Sequence, residues 1–232
     1  MSKEILAIIP ARSGSKGIKD KNIKLLNNIP LMSYSINAAL NSKYISRLVV
    51  TTDSKKYSKI ASAYGADIPF IRNKSLSTDN VHSVYAILDV LNKLKNNESY
   101  IPDIVLMLLP TSPLRSTKSI DSAIKLFLEN NSLSLVSVVE NEKQLLHLRT
   151  IDKNGILKPI IKSDNYNVQR EDLDSIYSLN GSIYISTPKQ LTKTKTFHNK
   201  DAMAFLMPKN ESVDINDQGD FDYAEYLLNK NY

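Results

Sequence analysis

The chain alternates short apolar runs with helix-length segments whose apolar residues recur every three or four positions. That alternation predicts βα units winding a parallel sheet. Ile5-Leu6-Ala7-Ile8-Ile9 is apolar on consecutive positions, as a central strand covered on both faces must be. Arg47–Thr52, Ile68–Ile71 and Ile104–Leu109 read as the second, third and fourth strands, each followed by a polar loop. Leu31–Asn41, Ser54–Tyr64 and Val81–Lys95 carry helical spacing and should each lay one face on the sheet. Ser54 is a candidate cap for its helix and Gly65 suits a left-handed stop. A further helix fits Thr117–Glu129 and a strand fits Leu133–Val139. Between about Glu140 and Leu179 the alternation lapses into charged and amide-bearing residues around an Asn154-Gly155 hairpin signal, the pattern of an inserted arm. It resumes at Gly181-Ser182-Ile183-Tyr184-Ile185, and Phe221–Leu228 reads as a closing helix.

A length of 232 residues suits one α/β domain over 1–232 carrying that insertion better than two equal domains. Thirty basic against 24 acidic residues give a net charge of +6, which permits an anionic ligand without naming one. Nucleic-acid binding would call for a basic stripe interleaved with aromatics, and a chain with no Trp and five Phe offers a poor stacking surface. The absence of cysteine excludes disulfides, thiolate metal sites and a cysteine nucleophile. The first apolar run, Ile5 to Pro10, is too short for a signal-peptide core, and no run reaches the ~18 residues of a membrane span. The expectation is a cytoplasmic protein with no nucleic-acid or membrane partner.

The candidate chemistry begins in the loop after the first strand, Pro10-Ala11-Arg12-Ser13-Gly14-Ser15-Lys16-Gly17, which continues to Lys21-Asn22. In an open parallel sheet ligands gather beyond the carboxyl ends of the strands. Small residues let backbone amides approach an anion, and Arg12 and Lys16 supply charge for a polyphosphate. The bland alternative makes Gly14 and Gly17 turn residues and the cations solvated. Neither the Walker nor the Rossmann glycine pattern is present. Asp53, at the end of the second strand, either starts the next helix or touches ligand. Asp79 is open to the same choice. Pro110-Thr111-Ser112-Pro113 is a stiff, hydroxyl-bearing loop after the fourth strand.

With these motifs, the chain resembles the acylneuraminate cytidylyltransferase family, the synthetases of CMP-sialic acid and related CMP-nonulosonic acids. The likeness rests on Ala11-Arg12-Ser13-Gly14-Ser15-Lys16-Gly17 with Lys21-Asn22-Ile23, and on Pro110-Thr111-Ser112-Pro113-Leu114-Arg115. Looser matches are Leu76-Ser77-Thr78-Asp79, Gln169-Arg170, Asn180-Gly181-Ser182-Ile183-Tyr184-Ile185 and Ser212-Val213-Asp214-Ile215-Asn216-Asp217. The resemblance implies a doubly wound, mostly parallel fold of the nucleotide-diphospho-sugar transferase type, with the arm at about 140–178 exchanged in a homodimer. It implies that Ala11, Arg12, Ser13, Gly14, Lys16, Lys21, Asn22, Arg72, Ser77, Asp79 and Ser83 hold CTP, with Arg12, Lys16 and Lys21 stabilising the reacting phosphates. Leu109, Thr111, Ser112, Arg170, Asn180 and Gly181 fall to the sugar acid. For Arg170, bidentate binding of a sugar carboxylate competes with a surface pair to Glu171.

Asp214 and Asn216 match the family's magnesium-binding motif, in which both positions are acidic and end a strand. By itself the stretch from Asp214 to Asp222 would read as a solvated acidic turn before the last helix. The implied reaction is attack by the anomeric hydroxyl of a nine-carbon 2-keto sugar acid on the α-phosphorus of CTP, releasing pyrophosphate. A synthetase for the eight-carbon acid 3-deoxy-manno-octulosonate ranks second. Asn216, which lacks the acid's charge, also admits a non-catalytic nucleotide-sugar sensor. Relatives often carry Gln where Leu109 stands and Arg where Ser178 stands. These two departures lean toward a bacterial dideoxy diamino sugar rather than sialic acid.

Overall fold

The computed structural model describes residues 3–15, 17–141, 146, 148–162 and 174–230. Its core is a six-stranded sheet whose central strand, β1 (Ile5–Pro10), lies between β4 (Arg47–Thr51) and β5 (Ile104–Leu108) and runs parallel to both. Beyond β5 come β9 (Tyr177–Ser186), β6 (Ser134–Glu140) and the edge strand β10 (Met203–Leu206), in that order. β9 is antiparallel to both neighbours, while β10 is parallel to β6. The sheet is therefore mostly parallel, with one reversed strand beside β5.

The consecutive apolar residues of β1 have the expected reason. Ile5, Ala7 and Ile9 pack into the cluster built by α1 (Leu31–Leu40), α2 (Lys55–Ala63) and α4 (Thr117–Glu129). Leu6 and Ile8 enter the opposite cluster, built by α3 (Ser83–Glu98) and α5 (Pro188–Thr194). Period-two alternation sends successive side chains to opposite faces, and both faces are covered. The last helix, α6 (Gln218–Asn229), packs in a smaller cluster with Leu26 and Leu31, near the hairpin of β2 (Leu25–Leu26) and β3 (Ile29–Pro30).

Several sequence expectations change. Ile68–Ile71 is not a strand; the segment makes one isolated bridge, Asp67 to Val49. Pro69 cannot donate to a ladder, which stops pairing outside β4. The helix expected from Val81 begins at Ser83, capped by His82, whose Nδ1 accepts from the Val84 amide at 3.3 Å. Asp79 is thus not its cap. The stretch holding Asp214 and Asn216 is not a strand, because its amides are used elsewhere: Ile215 donates to Thr111 O at 2.8 Å and Asn216 to Asp220 Oδ2 at 2.8 Å. β2, β3, α5 and β10 were not anticipated; all are short.

Within the arm, β7 (Arg149–Ile151) and β8 (Leu157–Pro159) form the hairpin that Asn154-Gly155 foretold.

Candidate active site

The carboxyl ends of β1 and β5 open into a cleft of about 480 Å³, on the side of a parallel sheet where ligands gather. Three segments wall it: the loop after β1, the stretch from Arg72 to Ser83, and Leu109-Pro110-Thr111 after β5.

The first loop is shaped by contacts that local sequence does not display. Ala11 is buried and its amide donates to Thr51 O at 3.0 Å, extending the β1–β4 ladder by one residue. Ser13 then donates from its amide and its hydroxyl to the two oxygens of Asp53, at 2.8 and 2.7 Å. Asp53 therefore does not start the helix. Ser54 caps α2, accepting from the Tyr57 amide at 3.4 Å, and Asp53 braces the loop. Farther along, the Tyr57 hydroxyl donates to Asp20 at 3.0 Å, so α2 holds both ends.

Gly14 turns the loop at a φ of +79°. Gly17 answers a different need: a Cβ there would lie 2.6 Å from the Asn216 carbonyl oxygen. Only glycine lets these two backbones meet. Asn22 is buried and donates to Arg12 O at 2.9 Å, fixing the base of that side chain. Lys16 lies outside the described residues, as do Gln169 and Arg170.

We expect Asp53→Ala to loosen the loop after β1, because two hydrogen bonds to a charged acceptor, each worth roughly 1.5–3 kcal/mol, disappear from it. Asp53→Asn keeps one acceptor and should fall between. Hydrogen exchange at residues 12–15 would check the order.

Three cations face the cleft with donor capacity to spare. Arg12 spans to the second wall, donating to Ser77 O at 3.3 Å and to Asp79 at 2.7 Å, in a pair about one-third exposed. Arg72 is buried; its Nε donates to Ser77 Oγ at 3.0 Å, while its Nη2 has no hydrogen-bond partner and lies 3.9 Å from Asp53. Burial lowers the pKa of Arg72, and Asp53 partly restores it. Lys21 donates to Ile215 O at 2.6 Å; burial lowers its pKa, opposed by Asp214 and Asp220. Desolvated cations with unsatisfied donors bind an incoming phosphate more strongly than solvated ones. Ser83 contributes the first residue of α3 to the wall.

On the third wall, Leu109 and Thr111 line the cleft, whereas Ser112 is buried and donates to Gly181 O at 3.3 Å. Asn180 is also buried, with every amide valence used. It accepts from Ser137 Oγ at 2.6 Å and Ser182 N at 3.3 Å, and donates to Ser212 Oγ at 3.0 Å and Met207 Sδ at 3.3 Å. Its amide binds β9 to the chain leading toward Asp214. Gly181, at a φ of +70°, lies so close that a Cβ would sit 3.3 Å from Asp214 Cγ.

Asp214 and Asn216 do come together, through a side-chain hydrogen bond and outside any strand. Asn216 Nδ2 donates to Asp214 Oδ2 at 3.2 Å, and Asp214 Oδ1 is buried without a hydrogen-bond partner. An orphaned buried oxygen of this kind calls for a ligand. Among the described residues no three His, Cys, Asp or Glu side chains group around one point. Magnesium needs no such cage, being held by one or two carboxylates with water and substrate phosphates. Asp214, steadied by the Asn216 amide nitrogen, fits that kind of site.

One participant was overlooked at the level of sequence. Arg115, already inside the Pro-Thr-Ser-Pro-Leu-Arg motif but given no role there, is fully buried behind the third wall.

The comparisons with known proteins agree with this geometry. A family model described as cytidylyltransferase matches residues 6–203. A CMP-N,N'-diacetyllegionaminic acid synthase of Legionella pneumophila is 37% identical over 229 residues, covering 98% of this chain and 97% of that protein. An N-acylneuraminate cytidylyltransferase of Escherichia coli is 37% identical over 232 residues, covering 99% of this chain and 53% of that protein. This chain thus spans about half the length of the Escherichia coli relative. Among solved structures, a CMP:2-keto-3-deoxy-manno-octonic acid synthetase complexed with CTP superposes with a TM-score of 0.72, covering 99% of this chain and 100% of that one. At 12% identity that likeness is one of fold.

Proposed function

The chain belongs to the cytidylyltransferase family and is a nucleotidyltransferase, and from that premise we propose that it transfers CMP from CTP to the anomeric hydroxyl of a nine-carbon 2-keto sugar acid. The observation that carries this reading is the meeting, in one cleft, of Arg12, Lys21 and Arg72 with the Leu109-Pro110-Thr111 wall and, beside it, Asp214. A triphosphate fits against the cations, and the acceptor sugar against the wall facing them. The CMP-N,N'-diacetyllegionaminic acid synthase and the N-acylneuraminate cytidylyltransferase that match over nearly the whole chain support the nine-carbon class.

The anomeric oxygen attacks the α-phosphorus, its proton is released, and the bond to the leaving pyrophosphate breaks. Such transfers depend mainly on alignment and on neutralising charge. Arg12 and Lys21 stabilise charge on the α-phosphate and leaving group, and Lys16 joins them by its place in the motif. Magnesium, bound through Asp214 with Asn216 beside it, would supply Lewis acidity toward the phosphate oxygens. His82 takes no catalytic part, being engaged as the cap of α3.

Leu109 bears on which acid is taken. Its side chain lines the cleft while packing against the α3 cluster, so this wall offers no hydrogen bond at that point. Apolar lining suits a deoxygenated sugar of the legionaminic type, because a site built to bind a hydroxyl discriminates far more sharply for it than an apolar one does. We expect Leu109→Gln to shift relative kcat/KM among N-acetylneuraminic, legionaminic and pseudaminic acids by about tenfold or more. Unchanged ratios would remove Leu109 from the sugar pocket.

The reading includes a homodimer built through the arm. Ile151 and Leu157, on β7 and β8, are 71% and 62% exposed, with Ile156 and Ile160 exposed beside them. A two-stranded hairpin is barely stable alone, and clustered exposed apolar residues of this kind mark an association surface. Ile151→Asp with Leu157→Asp should convert the dimer to monomer, as read by light scattering.

The deciding experiment for the function is pyrophosphate release from CTP and magnesium, with each nonulosonic acid and with 3-deoxy-manno-octulosonate. Release that requires a nine-carbon acid is expected. Release only with the eight-carbon acid, or none with any acid, would overturn the reading in favour of the octulosonate synthetase or of a sensor.

A further inference from the structure

Arg115 is a buried cation that no carboxylate among the described residues pairs. Burial alone lowers its pKa, yet a guanidinium remains charged at neutral pH. Taking such a group out of water is costly unless its donors are met; its Nε is left without a partner, and the bonds of the two Nη atoms show what the side chain is for. Nη1 donates to Ser182 O at 2.9 Å and to Leu109 O at 3.3 Å; Nη2 donates to Ser35 Oγ at 2.6 Å. Ser35, on α1, in turn donates to Leu109 O at 3.0 Å. One planar fork therefore joins α1, the residue that follows β5 and the middle of the reversed strand β9.

Each of those points bears on the cleft. Leu109, Pro110 and Thr111 line it. Ser112 Oγ ties the same loop to Gly181 O, next to Ser182, and Thr111 O holds the Ile215 amide at 2.8 Å, which hangs the Asp214 segment from the loop. The Arg115 side chain itself is not among the cleft's lining residues. Its rigid geometry is what a flexible ammonium would not reproduce.

We propose that Arg115 is a positioning residue that clamps the loop after β5, the Gly181-Ser182 middle of β9 and, through Thr111, the Asp214 segment into one wall, and thereby sets how the acceptor sugar acid is held. This rests on the sugar acid occupying that wall, as argued above. The Arg115 fork makes no hydrogen bond to either of the first two walls, and only Lys21 and Gly17, against Ile215 and Asn216, meet the clamped segment, so the nucleotide side should be affected far less.

The test compares Arg115→Met, Arg115→Lys and Ser35→Ala with wild type, using CTP and whichever sugar acid wild type turns over. Arg115→Met should raise the sugar KM by tenfold or more and lower kcat, with CTP affinity by calorimetry within about twofold of wild type. Arg115→Lys should recover part of the sugar KM, and Ser35→Ala should raise it severalfold. Hydrogen exchange should quicken together in 110–115, 181–184 and 213–216 in Arg115→Met, and stay unchanged in 12–15. An unchanged sugar KM, or equal loss of sugar and CTP binding, overturns the clamp. If Arg115→Met does not fold, Arg115→Lys and Ser35→Ala decide by the same ratio of sugar to CTP effects. Failure of the nine-carbon reading would show instead in wild type, before any variant is made.

Discussion

Arg12→Ala should lower CMP-sugar formation by at least about 100-fold, and equally with every sugar acid. Removing one preorganised donor to a reacting oxyanion commonly costs that much. Arg12 offers two, held ready because Asn22 fixes its carbonyl while Ser77 and Asp79 hold its fork at the cleft. The residue sits on the nucleotide side, so the loss should not depend on the acceptor. Stability should hardly change, since a pair exposed to this degree contributes no more than about 1 kcal/mol. Pyrophosphate release across a panel of acids, beside a thermal melt, measures both. A loss confined to one sugar would assign Arg12 to the acceptor instead.

Asp214→Asn should reduce turnover by a comparable factor, at least about 100-fold, without loss of stability. In the free protein Asp214 Oδ1 is buried and unpartnered, a condition that costs roughly 1–3 kcal/mol for a polar group, and more for a charged one. An amide of the same shape keeps an oxygen toward Asn216 Nδ2 and is cheaper to bury, so the melting temperature should hold or rise. Functional sites typically trade stability for activity in this way. Asp214→Asn that kept its activity while melting lower would make the carboxylate structural and the proposed metal site wrong. Lys21 sharpens the contrast: Asp214 counters the lowering of its pKa by burial, so losing that charge leaves the ammonium easier to deprotonate as pH rises. Activity remaining in the variant should therefore decline at lower pH than in wild type.

These two residues also differ in how readable they were. Arg12 stands in a glycine-bearing loop directly after an apolar run, and both the strand and the loop are local patterns. Asp214 was found by motif, but the strand that the motif implies there does not form. The segment is irregular chain pinned by Thr111 and Asp220. Those contacts span about 100 residues in one case and four in the other, and only the shorter is visible as spacing. Asp53 failed for the same reason. Its neighbour Ser54 made a helix cap the natural reading, and nothing near position 53 announces Ser13, 40 residues earlier. The third strand failed differently: Ile68–Ile71 has the hydrophobicity of a strand, but Pro69 removes a donor where pairing would continue.

What the sequence determined by itself was the part governed by period and by local backbone chemistry. Consecutive apolar residues in β1 required cover on both faces, helical spacing set α1, α2 and α4, Ser54 stopped the chain for α2, and Asn154-Gly155 turned the arm. What tertiary structure alone decided is how distant segments face one another. β9 runs antiparallel beside β5, although its apolar run reads like any buried strand, because strand direction depends on connections and not on composition. Asn180 spends its amide inside the fold, Gly17 is small because Asn216 passes it, and Arg115 lies buried against two distant carbonyls and the Ser35 hydroxyl. Charge and hydrogen-bonding capacity are properties of a residue, but their use depends on which partners the folded chain brings within about 3 Å.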